Sequence, residues 1–332
     1  MTAAPLSRRS LLASLAAAGA AVGFPYAAAA QPAAVRLGVL KFGTVSWELD
    51  TISHHGFDAA HDVTLEVSAF AGEDATNIAL QAGAVDIIVS DWLWVSRQRS
   101  EGGDLALVPY SSAVGAVMVG PQSPLGGLAD LRGKSIGVAG GPLDKSWLLL
   151  RALVLRRHGF DLAAESEVAY GAPPLMSEKA LSGELDAVLN FWHFCARLEA
   201  AGFRRLLGAN EAARELGAKG DVSALGYVFH DAWARDNGAA LAGFLAASAD
   251  AKALLAKSDA EWQRLAPLVR AEGAELAILR DRYREGIPRR PPAEEAEDAA
   301  KLYAVLASIG GDKLVGRAPT MAPGTFWAGA RP

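Results

Sequence analysis

Short apolar runs and longer helical stretches follow one another along almost the whole chain. Val63, Leu65, Val67 and Ala69 alternate with other residues and predict a strand over 63–70. Largely apolar runs predict strands over 35–39, 84–90, 105–109, 113–119, 135–139, 185–190 and 225–230, and 165–170 reads as a further strand. Helices are expected over 46–60, after Gly72, over 92–99, after Pro142 and up to Gly183. From Asp231 the pattern is helical, over 238–256, 260–272, 274–285 and 293–309, and 320–332 reads as a loose tail. Strands alternating with helices predict an α/β protein.

The most informative stretch is 125–156. Ser135, Ile136, Gly137, Val138 and Ala139 form a strand, Gly140-Gly141-Pro142 turns the chain, and a helix with Trp147, Leu148, Leu150, Leu153 and Val154 at apolar spacing follows. Pro142 is expected in the first helical turn, where a missing N–H costs nothing. The free N–H groups and positive dipole end of that helix suit an anion, with Lys145 and Ser146 able to add a charge and a donor. The plainer reading is that the glycines only make the turn and Lys145 is solvated. The turn matches neither a dinucleotide fingerprint nor a P-loop.

Three motifs carry a resemblance. Residues 124–138, PLGGLADLRGKSIGV, resemble the segment that opens the second lobe of periplasmic solute-binding proteins of ABC importers, nearest the sulfonate/nitrate/taurine group with its thiamine-pyrimidine binders. Residues 181–192, LSGELDAVLNFW, and 79–87, ALQAGAVDI, resemble repeated motifs of the same family. The resemblance implies a two-lobe type II periplasmic-binding-protein fold with a ligand cleft between the lobes and two hinge crossings. It places lobe 1 at 35–120 and 225–318, with the C-terminal helices packed on it, and lobe 2 at 121–224. The first crossing is expected at 119–121.

Composition narrows the function. The 332 residues, 51% of them apolar, permit two lobes with their own cores. A net charge of −5 with no basic patch argues against nucleic-acid binding. The single cysteine, Cys195, excludes an internal disulfide and is expected as a small buried residue. Residues 1–30 read as a twin-arginine signal peptide: Ser7-Arg8-Arg9-Ser10-Leu11-Leu12, an apolar run too short to span a bilayer, and Ala28-Ala29-Ala30 before Gln31. The mature protein is therefore expected in a bacterial periplasm. His54, His55 and His61 do not share a face at chelating spacing, so neither a metal nor a cofactor is expected.

Ligand-binding candidates are the polar and aromatic residues at strand ends, where open α/β sheets bind ligands. They are Thr44, Ser46 and Trp47 after the first strand, Gly72 after the second, and Asp91 and Trp92 after the third. Ser111 lies near a crossing, Gly141 and Ser146 after the central strand, and Asn190, Trp192 and His193 after the strand at 185–190. Plainer roles compete with these: a helix cap for Ser46 and Asp91, core for Trp47, and a satisfied core imidazole for His193, which could otherwise donate to an anion once protonated. The expected function is capture of a small organic anion or heteroaromatic by hinge closure. The resemblance adds delivery to an ABC permease with its ATPase, by a monomer. A periplasmic sensor or partner module on the same fold is the alternative. An exported enzyme is less favoured, because no hydrolase motif or nucleophile–base arrangement stands in the sequence.

Overall fold

The computed structural model describes residues 32–41 and 43–329, so the signal-peptide reading lies outside the described residues. The first part of the chain runs β1 (Ala33–Leu40), α1 (Val45–His55), α2 (Phe57–Ala60), β2 (Val63–Phe70), α3 (Glu73–Gln81), β3 (Ile87–Asp91), α4 (Trp92–Ser100) and β4 (Leu105–Ser111). Next come β5 (Ala116–Val119), a 3-10 turn (Leu128–Leu131), β6 (Ser135–Ala139), α5 (Lys145–His158), α6 (Leu162–Glu165) and β7 (Glu167–Gly171). They are followed by α7 (Pro173–Leu181), β8 (Ala187–Asn190), α8 (Trp192–Ala200), β9 (Arg204–Gly208) and α9 (Ala209–Glu215). The chain then returns through β10 (Leu225–His230) and α10 (Asp231–Asp236). It ends in α11 (Gly238–Lys257), α12 (Asp259–Val269), α13 (Gly273–Glu285), α14 (Pro292–Gly310) and α15 (Asp312–Val315).

Two five-stranded sheets have the orders β2-β1-β3-β10-β4 and β7-β6-β8-β5-β9. The two orders are equivalent: in each, one antiparallel strand from the other run of chain sits between two local strands. β5, expected to close the first lobe, is therefore the exchanged strand of the second sheet. The first crossing falls before it, at residues 112–115, rather than at 119–121. The apolar run at 113–119 had a strand's composition, but its partners are non-local and composition does not name them.

The repeated motif has a structural reason. Asp86 accepts from the backbone N–H of Arg36 at 2.9 Å and from its guanidinium, and Asp186 accepts from the N–H and Oγ of Ser135, both at 2.9 Å. Asp86 ties β1 to the start of β3, and Asp186 ties β6 to the start of β8. The glycine three residues earlier, Gly83 or Gly183, takes a left-handed φ of 68° or 78° that a side chain would strain. Sequence resemblance here reports sheet assembly, at the strand ends away from the cleft.

The C-terminal helices do not all pack on the first sheet. α11 lies on β1 and α1, and α12 on α1, whereas α13 packs on α8 and α14 on α5, both following strands of the second sheet. The apolar faces explain it: Leu276, Leu279 and Tyr283 of α13 join Trp192 and Ala196 of α8 in one buried cluster. α11 is apolar and long enough to cross a membrane by composition, and its buried face carries Leu241, Phe244, Ala247 and Ala251 of the first sheet's core. The end of the chain is not loose. Leu107 of β4 donates to Thr325 O at 2.9 Å and accepts from Trp327 N at 2.8 Å, and Phe326 is buried beside it.

Candidate functional site

A cavity of about 250 Å³ lies where the strands of both sheets end. Gly43 and Thr44 after β1, Glu73 at the start of α3, and Asp91 and Trp92 at the β3–α4 junction line it from the first sheet. Asp144, Lys145 and Ser146 before and within α5, and Phe191, Trp192 and His193 after β8, line it from the second. The crossing residues Ala113, Val114 and Gly115 pass along one wall. The loops after parallel strands meet there because both sheets turn their carboxyl ends to one cleft.

Asp91 combines the two roles the sequence left open. Its Oδ1 accepts from Trp94 N at 3.0 Å, capping α4, and its Oδ2 accepts from Lys145 Nζ at 2.7 Å. That bond runs from the first sheet to the second across the cavity. Burial works against the Lys145 charge, but Asp91, Glu73 and Asp144 together raise its pKa above the ordinary lysine value.

The expected anion site at the start of α5 is closed by the chain itself. The helix begins at Lys145, so Pro142 lies before it rather than in its first turn, and Asp144 Oδ1 accepts from Trp147 N at 2.9 Å. The N–H groups an anion would need are facing a carboxylate. Burial raises the Asp144 pKa against that hydrogen bond and against Lys145.

His193 lines the cavity, and its Nδ1 is buried without a hydrogen-bond partner. Burial, helped by Arg197, lowers its pKa to about 4, so at neutral pH it is an uncharged imidazole and not the anion donor it would be as imidazolium.

Thr44, Asp91, Trp92, Ser146, Trp192 and His193 are thus brought together. The other expected residues are used by the fold. Ser46 Oγ donates to Gly43 O at 2.8 Å within its own turn. Trp47 is buried among Trp192, Trp262 and Tyr283, with ring centroids 5.8, 5.8 and 6.2 Å away. Gly72 caps α3 and leaves the cavity wall to Glu73. Ser111 Oγ accepts from Ala113 N at 3.1 Å and shapes the crossing. Gly141 O accepts from Asp144 N at 3.0 Å, inside the turn. Asn190 is 1% exposed and fully occupied: Nδ2 donates to Pro173 O and Ser177 Oγ, and Oδ1 accepts from Phe191 N. Cys195 is buried, and its thiol pKa is pushed up to about 11 by that burial.

Sequence reading missed Glu73, Asp144 and Asn210 as wall residues. An aspartate directly before Lys-Ser-Trp was a readable cap signal for Asp144. Asn210 belongs to α9, a short helix without an apolar period to announce it.

The family described as NMT1/THI5 like matches residues 53–261. No curated protein matches the sequence. Among solved structures, the periplasmic aliphatic sulphonate binding protein SsuA from Escherichia coli is 21% identical with a TM-score of 0.72, covering 91% of this chain and 94% of that one. The alkanesulfonate-binding protein SsuA from Xanthomonas axonopodis pv. citri, bound to MOPS, is 19% identical with a TM-score of 0.67, covering 90% and 99%. The ligand-binding component of an ABC-type import system from Staphylococcus aureus, with zinc bound, is 13% identical with a TM-score of 0.62, covering 89% and 96%. These likenesses show the periplasmic-binding-protein fold. Sulfonates and zinc on one fold also show that the fold does not choose the ligand.

Proposed function

The chain belongs to the NMT1/THI5-like family, and on that premise we propose that it is the exported solute-binding component of an ABC importer, taking one small molecule into the cavity between its sheets. The observation that carries this reading is the cavity itself: about 250 Å³, with walls from both sheets, and indoles and ionised groups at the strand ends. The two halves are joined by crossings at 112–115 and 216–224 and again on either side of α13 and α14, which pack on α8 and α5, and a rotation at those segments would close the halves on a ligand. Trp92 and Trp192 supply apolar faces, and Thr44, Ser146 and the strand-end carboxylates supply polar groups. The closed form is what a membrane permease would read before its ATPase drives import, and Arg8-Arg9 would direct export to the periplasm. Binding is favoured over catalysis because His193, the imidazole lining the cavity, has no partner at Nδ1 and activates no hydroxyl there.

The test is a thermal-shift panel of taurine, alkyl and aryl sulfonates, nitrate, bicarbonate, phthalate, aminopyrimidines and riboflavin, run on the wild type and on Ser146→Trp, which fills the cavity. A ligand at a hundred times its Kd stabilises by about 2.7 kcal/mol, a shift of a few degrees. The expected result is a hit in the wild type that Ser146→Trp loses. A hit that Ser146→Trp retains would place binding elsewhere.

A further inference from the structure

The charges lining the cavity bear on what the binding protein proposed above would hold, and the inference rests on that reading. Glu73, Asp91 and Asp144 line it against the ammonium of Lys145, a formal charge of −2. Apart from the neutral hydroxyls of Thr44 and Ser146, the groups that would receive an anion are committed. The start of α4 is capped by Asp91 and the start of α5 by Asp144. Lys145 is bonded to Asp91 at 2.7 Å and lies in the field of Glu73 and Asp144 as well. His193 lines the same wall as an imidazole that burial keeps uncharged, so it adds no cation there. A sulfonate entering here would meet three carboxylates and no uncommitted cation among the described residues lining the cavity. A flat cation would meet carboxylates for its charge, and Trp92, Phe191 and Trp192 for its faces.

We propose that the ligand of this cavity carries a positively charged nitrogen group, an amidinium or ammonium, on a flat apolar body, and that Glu73 and Asp91 receive the charge. Lys145 then marks the place: a side chain from the second sheet already sets an ammonium on Asp91, and the incoming ligand competes with it. Its side chain is 39% exposed while bonded to Asp91. This differs from the anion preference that the α5 turn alone suggests, because Asp144 closes that turn.

The experiment uses the purified chain and three probes on one ring: benzamidine, benzamide and benzenesulfonate. Each is titrated to millimolar concentration by calorimetry and thermal shift. The expected order is benzamidine above benzamide, with benzenesulfonate silent. Asp91→Asn keeps a side-chain oxygen for the α4 cap, and should weaken benzamidine at least tenfold. Glu73→Gln, at an exposed position, should weaken it in the same direction and carries the test if Asp91→Asn does not fold. Lys145→Met should tighten it. Benzenesulfonate binding that Lys145→Met abolishes would overturn the inference and leave the binding function standing. Benzamidine binding indifferent to both carboxylate changes would overturn it as well. Silence from all three probes and from the wider panel would bring down both.

Discussion

Asp91 shows how a single side chain can serve two ends. One oxygen finishes a strand–helix junction by capping α4, and the other faces the cavity and holds Lys145. Its place at the carboxyl end of a buried strand was legible in the sequence, and so was its neighbour Trp92. Trp47 was not separable in the same way, because an indole in the first turn of an amphipathic helix has one spacing whether it faces core or cleft. The structure sends it into an edge-to-face cluster with Trp192 and Trp262. His193 carries the prediction at this scale. Its pKa of about 4 lies below the ordinary value of 6.5, because burial penalises the charged form. The unfolded chain binds a proton near 6.5 that the folded one refuses until about 4, so this group's contribution is complete above pH 6.5 and is lost as pH falls toward 4. Histidine NMR should show one ring titrating near 4. A value between 6 and 7 for His193 would contradict its burial.

Elements were read well where periodicity was local. β2, β6 and β10 stand where alternation or apolar runs put them, and β5 is a strand as expected but in the other sheet. The missing information was pairing, which is set by contacts far apart in sequence. The docked tail is a second case: Phe326 and Trp327 in a short glycine- and proline-containing stretch have no period, yet Phe326 packs beside β4. The first crossing is held by close backbone approach. A Cβ at Gly115 would lie 2.1 Å from Asn190 O, and that carbonyl belongs to the end of β8. Gly115→Ala should therefore displace the crossing and cost about 1–3 kcal/mol in urea denaturation, as overpacking does. A loss within a few tenths would show that the crossing gives way freely. At the other side of the cavity, Asp144→Ala removes the α5 cap and should cost about 1 kcal/mol, which Asp144→Asn should largely retain.

At the scale of the whole molecule, two equivalent sheets exchange one strand each, and that exchange makes two of the passages between the halves that flank the cleft. The first sheet's side also hides a charge pair that sequence gave no reason to expect. Glu48, 0% exposed on α1, accepts from Lys252 Nζ and Ser248 Oγ of α11, each at 2.6 Å, and from Tyr227 of β10. Burial lowers the Lys252 pKa against the pull of Glu48. Lys252→Met leaves a buried carboxylate uncompensated and should cost about 3–5 kcal/mol, most of it regained when Glu48→Gln is added. If the double variant is no more stable than the single one, the pair is not the unit that matters. The central claim is that a ligand in the cavity closes the two halves on each other. Nitroxides at Glu66→Cys on β2 and Ser182→Cys after α7, both exposed and on different sheets, read that directly by electron–electron double resonance, with buried Cys195 left unlabelled. The account predicts a shorter, narrower distance distribution with a bound panel ligand, and no change in Ser146→Trp. An identical distribution with and without ligand, at a concentration where calorimetry shows the site filled, would contradict closure.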